Sequence, residues 1–164
     1  MKLSVLKFTL FLLVLPAALA AQSKNVKPLP ADASLGDTQK WLVAGLSKYA
    51  SFKTRVNSAS VSSVKFDGCK LSYTIIRRSG STAHDTMGAT TRTHIVKQDV
   101  AFDLSFIAND GVKLTDHIYP DFRTITIAFR SDQGGDVEIV VKHEAGEPIR
   151  SALDHARTLC IPKS

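Results

Sequence analysis

Trp41, Leu42, Gly45, Leu46 and Tyr49 fall on one helical stripe, and Gln39, Lys40, Ser47 and Lys48 occupy the remaining surface. This spacing of i, i+4, i+7 predicts an amphipathic helix lying on a core. Ser34 or Asp37 is its expected N-cap. Trp41 is read as a core residue, because a single aromatic on the apolar face of a helix is ordinarily buried. The period then changes to two. Val64 and Phe66 precede Asp67-Gly68, after which Cys69, Leu71, Tyr73 and Ile75 alternate with Lys70, Ser72 and Thr74. Asp-Gly between alternating runs predicts a hairpin with a two-residue loop, its apolar set facing inward. Residues 79–91 are small and polar with two glycines, and read as a loop.

Strand character returns at Thr93, with Val100, Phe102, Leu104 and Phe106 alternating against Ala101, Asp103 and Ser105. Asn109-Asp110-Gly111 predicts a turn and Val112–Thr115 a short strand after it. Ile125, Ile127 and Phe129 alternate in the next strand. Val137, Ile139 and Val141 mark the last one, over Asp136–His143. Pro148 suits a first helical turn. Beyond it Ile149, Ala152, Leu153, Ala156, Leu159 and Cys160 follow the helical period. The predicted fold class is α+β: an antiparallel sheet of about six strands, with an N-terminal helix and a C-terminal amphipathic helix packed on it. No βαβ alternation demands a parallel sheet.

The beginning of the chain changes the picture from fold to compartment. Lys2 and Lys7 precede the apolar run Phe8–Leu15, Pro16 breaks it, and Ala18-Leu19-Ala20 ends it with small residues. That is the layout of a secretory signal cleaved near Ala20, too short for a membrane span. Residues 1–20 are therefore expected to be a signal, 21–33 a flexible leader with two prolines, and 34–164 a single domain. Removal of residues 1–20 from the 164-residue chain leaves 144, with 19 basic residues against 15 acidic ones. The expected location is secreted or periplasmic. The positive charge is spread along the chain, which argues against a nucleic-acid partner.

Cys69 and Cys160 are the two cysteines. An oxidising compartment favours a disulfide between them, with two buried free thiols as the alternative. Each points at the core by its own periodicity, one on a hairpin and one on the last helix. The bridge would close a loop of about 90 residues, for which chain entropy gives on the order of 4–5 kcal/mol.

Three stretches together resemble a loose group of uncharacterised exported bacterial proteins. They are Trp41-Leu42 with Leu46 and Tyr49, then Val64-x-Phe66-Asp67-Gly68-Cys69-x-Leu71, then Ala152-Leu153-x-His155-Ala156-x-x-Leu159-Cys160. Members of that group share a signal, a helix, strands and a closing helix ending in Leu-Cys. The resemblance covers about half of the mature chain. It implies the fold and the bridge, and no activity. A strand-rich body closed by an amphipathic helix is also similar to a pleckstrin-homology-like barrel, from which the N-terminal helix departs.

Candidate chemistry is sparse. His84, His94, His117, His143 and His155 form neither H-x-H nor H-E-x-x-H. His84-Asp85 and Asp116-His117 lie in predicted loops, and their convergence would give a metal or acid/base cluster. Ser62-Ser63-Val64-Lys65 matches S-x-x-K in letters, but lies in a strand, where i and i+3 face opposite sides. Lys65, Lys70, Arg77 and Arg78 gather around the first hairpin. They read either as edge protection or as a surface for an anionic partner. No cofactor is expected. The leading function is a non-enzymatic exported domain that binds an envelope protein, a lipid or a polyanionic polymer. A small hydrolase or metal-dependent enzyme on the His84 and His117 loops is the alternative, and a carrier of a small apolar ligand is a third.

Overall fold

The computed structural model describes residues 26–162 apart from 86–87 and 131–134, and the backbone alone over 82–85 and 88–91. Residues 1–20, where the secretion signal is expected, lie outside the described residues. In chain order the elements are α1 (Leu35–Tyr49), β1 (Ser51–Lys53), β2 (Asn57–Asp67), β3 (Lys70–Asp85) and β4 (Gly88–Asp103), then a 3-10 turn (Leu104–Phe106). β5 (Ile107–Asp116), β6 (Phe122–Phe129), β7 (Val137–Lys142) and α2 (His143–Cys160) complete the fold. The class is α+β, as the alternating patterns require. The strands, seven among the described residues, form two antiparallel sheets in place of a single one of about six. One has the order β1-β2-β3-β4 and the other β5-β6-β7, and neither closes into a barrel. The 3-10 turn divides them: it ends the alternation that the sequence carries through to Phe106, and leaves Phe106 exposed.

Ser34 caps α1, its Oγ accepting from the Asp37 N–H at 3.2 Å and donating to the Asp37 carboxylate at 2.6 Å. Leu42 and Leu46 of α1 are fully buried. They share one core with Leu71, Tyr73 and Ile75 of β3, Ile125 and Ile127 of β6, Ile139 and Val141 of β7, and Ile149, Ala152, Leu153 and Ala156 of α2. α2 packs on α1 and on all three strands of the second sheet. Burying a Leu or Ile side chain is worth about 1.5–3 kcal/mol, so this shared core is what joins the two sheets. The segment 26–33, assigned from sequence to a flexible leader, runs against α1 and α2. Val26 and Leu29 pack on the core, Trp41 Nε1 donates to the Lys27 carbonyl at 3.1 Å, and His155 Nε2 lies 2.9 Å from the Ala33 carbonyl.

The Cys69–Cys160 disulfide is present, with sulfurs 2.07 Å apart and a sequence separation of 91. Cys69 itself sits one step away from its expected place. The β2–β3 register pairs Asp67 with Lys70, so the two-residue loop is Gly68-Cys69 and not Asp67-Gly68. Gly68 takes φ +54°, the left-handed conformation that a residue without Cβ adopts freely. The loop is held from above by Gln39, whose side-chain amide donates to the Gly68 carbonyl at 2.7 Å.

Four further expectations are corrected. Residues 79–91 are not a loop: β3 runs to Asp85, β4 starts at Gly88, and the pair stays in register from Lys70↔Asp103 to Asp85↔Gly88. Threonine suits a pleated ribbon whatever its polarity, and this segment is rich in it. α2 begins at His143, five residues ahead of Pro148, which stands inside the helix. Leu159 is exposed and lies off the buried stripe of α2. β2 also carries a bulge between Ser62 and Lys65, with Ser63 at φ +54°. The inserted residue returns Ser62, opposite Thr74, and Lys65, opposite Ser72, to the same sheet face. The S-x-x-K letters thus share a face after all, but on a strand and without the helix opening that the motif needs.

Candidate functional site

The register of the first sheet defines two faces. Leu71, Tyr73 and Ile75 point into the core, so the opposite face carries Lys70, Ser72, Thr74, Ile76 and Arg78 of β3. Cross-strand rows extend that outer face. Lys53, Ser58, Arg78 and Ile95 form one row, and Ser51, Ser60, Ile76 and Lys97 form the next. The four predicted basic residues therefore separate. Lys65 and Lys70 lie at the turn end, where Asp67, Asp99 and Asp103 are interleaved with them. Arg77 takes the core-side face, next to Glu138 and Asp136 around one shallow hollow. Arg78 alone joins a larger group that the sequence reading missed.

That group lies at the end of the sheet away from the disulfide. The segments 51–58, 76–81 and 92–98 contain no Asp or Glu and, besides Arg77 on the core-side face, carry Lys53, Arg55, Arg78, Arg92 and Lys97. Among the described residues, none of these five stands in an ion pair. A hollow of about 400 Å³ opens there, lined by Lys53, Arg55, Asn57, Ser58, Arg78 and the backbone around Gly80. The β1–β2 connection that forms its wall is fixed locally. Thr54 N–H and Oγ1 both donate to the Asn57 carbonyl, and Asn57 N–H donates to Thr54 Oγ1 at 3.0 Å. Gly80 N–H donates to the Val56 carbonyl at 2.7 Å and ties this connection to β3. Beyond Gly80 the β2 partner ends, and β3 and β4 continue alone as a ribbon for roughly 20 Å. Cations held on three strands without compensating carboxylates make a standing positive potential, suited to an anionic ligand. They were invisible as a motif because they are dispersed in sequence and meet only through the register.

Of the four residues that would form a histidine–aspartate cluster if their two segments converged, His84 and Asp85 lie at the tip of that ribbon, in the first sheet. Their side chains are outside the described residues. Asp116 and His117 lie at the end of β5, in the second sheet. Asp116 faces Arg123 across β6, with Oδ1 3.2 Å from Nε. His117 stacks on Tyr119 at 5.5 Å between centroids and packs against Phe52 at 5.2 Å, while its Nδ1 accepts from the Tyr119 N–H. Phe52 also meets Tyr119 and Phe122, so this aromatic knot docks the β5–β6 connection against β1. His117 thus has a packing role. Among the described residues, no three His, Cys, Asp or Glu side chains converge as a metal site would require. No helix among them is long and apolar enough to cross a membrane.

Between the two sheets the hollow bounded by Ala50, Val61, Ile75 and Ile139 measures about 60 Å³, room for little more than water. A wider hollow, about 480 Å³, opens at the disulfide end beside Phe102, Phe106 and Phe129. Compared against protein families, curated proteins and solved structures, the chain finds no match, so the chemistry of the basic end carries the functional reading alone.

Proposed function

We propose that this chain is an exported, non-enzymatic binding domain, and that its working surface is the basic end of the first sheet. The observation that carries the reading is the set of five cations Lys53, Arg55, Arg78, Arg92 and Lys97 on the segments 51–58, 76–81 and 92–98, which hold no acidic residue, with no ion pair to these cations among the described residues. Solvated salt bridges form readily wherever opposite charges are near. Their absence here leaves the cations available to a partner. The disulfide supports the export, because such bonds persist in oxidising compartments. The partner is a polyanion, recognised by charge and by the hydroxyls of Ser51, Ser58 and Ser60 that share the outer face.

Retention on an immobilised sulfated polymer tests the reading. The protein is expected to bind at low salt and elute as salt rises, since screening weakens exposed charge. Lys53→Glu combined with Arg78→Glu is expected to pass through unretained, while Lys65→Glu combined with Lys70→Glu elutes near the unmodified protein. Equal elution of all three would overturn the assignment of the surface.

A further inference from the structure

The basic end also gathers most of the exposed apolar surface. Val56, Ile95 and Val96 are each more than half exposed, Ile118 is 86% exposed and Tyr119 is 42% exposed. Val56 belongs to the β1–β2 connection beside Arg55. Ile95 stands opposite Arg78 on the outer face, and Val96 stands opposite Arg77. Ile118 and Tyr119 come from the other sheet, and Phe52, the neighbour of Lys53, brings them to the same end through its contacts with His117, Tyr119 and Phe122. The fold thus gathers aliphatic tips, a phenol and cations at one end from four separate stretches of sequence, with Ile95, Lys53 and Arg78 on the outer face and Val96 and Phe52 on the other. Carboxylates border this end: Asp116 pairs with Arg123, Asp136 and Glu138 lie by Arg77 on the core-side face, and Asp121 stands before α2, its backbone carbonyl accepting from His143 N–H.

We infer that this end seats on the surface of an anionic lipid bilayer, a reading that rests on the proposed polyanion-binding surface and names its partner. A soluble polymer engages cations and leaves aliphatic side chains in water. A bilayer takes both, with Lys and Arg at the headgroup phosphates and exposed aliphatics entering the boundary beneath. Tyrosine favours that same boundary, its ring in the apolar layer and its hydroxyl in the wet one. Lys and Arg stems lie along the apolar layer while their charges reach the phosphates. The hollow at Lys53, Arg55 and Arg78 is placed to receive one headgroup.

Co-sedimentation with vesicles provides the test, using phosphatidylcholine alone and a mixture containing phosphatidylglycerol, with dextran sulfate retention measured in parallel. The protein is expected to sediment with the mixed vesicles and to stay in solution with phosphatidylcholine. Lys53→Gln with Arg78→Gln is expected to lower vesicle partition at least tenfold, since each cation near an anionic bilayer is worth about fivefold. Ile95→Ser with Ile118→Ser is expected to lower vesicle partition by about as much while leaving dextran sulfate retention unchanged. These are exposed positions, and circular dichroism will show the fold intact. Retention by dextran sulfate without vesicle binding would overturn the bilayer partner and leave the polyanion surface standing. Loss of both would overturn both. Vesicle binding unchanged by the isoleucine replacements would overturn the seat described here.

Discussion

Tyr73 is buried on the core face of β3, and its hydroxyl has no hydrogen-bond partner among the described residues. Desolvation pushes its phenol well above the ordinary value near 10. The folded state therefore keeps this proton while the unfolded chain releases it. Stability tied to Tyr73 is intact below pH 10 and is lost as pH rises beyond it. Tyr73→Phe is expected to leave stability at neutral pH unchanged or raise it by about 1 kcal/mol, by removing an unsatisfied buried hydroxyl. The variant is also expected to resist alkaline unfolding longer, and urea melts at pH 7 and pH 10.5 will show both effects. Gly111 stands for the opposite case. A Cβ there would overlap the carbonyl oxygen of Ala128 and stand 3.0 Å from the backbone of Ala108. These backbone atoms cannot rotate away, so Gly111→Ala is expected to cost about 1–3 kcal/mol in the same melts. The sequence shows Gly111 as a turn residue, but the backbone packed against it follows only from the β5–β6 pairing. Cys69 is a comparable case: its partner was legible, while the one-residue displacement into the loop required the observed register.

Among the elements, both helices and the cores of β3, β6 and β7 were legible because one face of each is buried, and burial imposes the period. The ribbon beyond Gly80 was not. Among the described residues no further strand pairs with it beyond β3 and β4, and its sequence carries no apolar alternation to record it. Only the pairing of β3 with β4 sustains it, and a two-stranded ribbon is marginal by itself. Amide exchange is expected to be slowest at Leu71–Ile75 and to rise steeply outward of Gly80 and Thr93, with native-state hydrogen exchange as the measurement. The start of α2 was misplaced for a related reason. His143, Glu144 and Glu147 carry no apolar signal, while Ala145 and Gly146 are buried though small. Ile149 is the anchor of that helix, fully buried between α1 and the second sheet. Ile149→Ala is expected to lose 2–5 kcal/mol by denaturant titration, with a concerted loss of both sheets.

Taken together, the two sheets were not separable in sequence. The 3-10 turn at Leu104–Phe106 keeps the apolar alternation going in letters while the chain changes direction. The basic end was missed because its members lie about 20 residues apart, and only the meander of β1 to β4 aligns them. The disulfide was legible because compartment and periodicity agreed. Replacing Cys69 and Cys160 by serine and alanine is expected to lower stability by about 2–4 kcal/mol, and the melting temperature by on the order of 10 °C in calorimetry. The dextran sulfate retention of the folded double variant should not change, because the bond lies at the other end of the first sheet from Lys53 and Arg78.

The ribbon leaves the body between Cys69 and Cys160, so every peptide bond within it is spanned by the bridge. A single trypsin nick after Arg92, an exposed residue, would yield two fragments that still migrate together on a non-reducing gel and part only when thiol is added. Cleavage within the ribbon therefore cannot release either half.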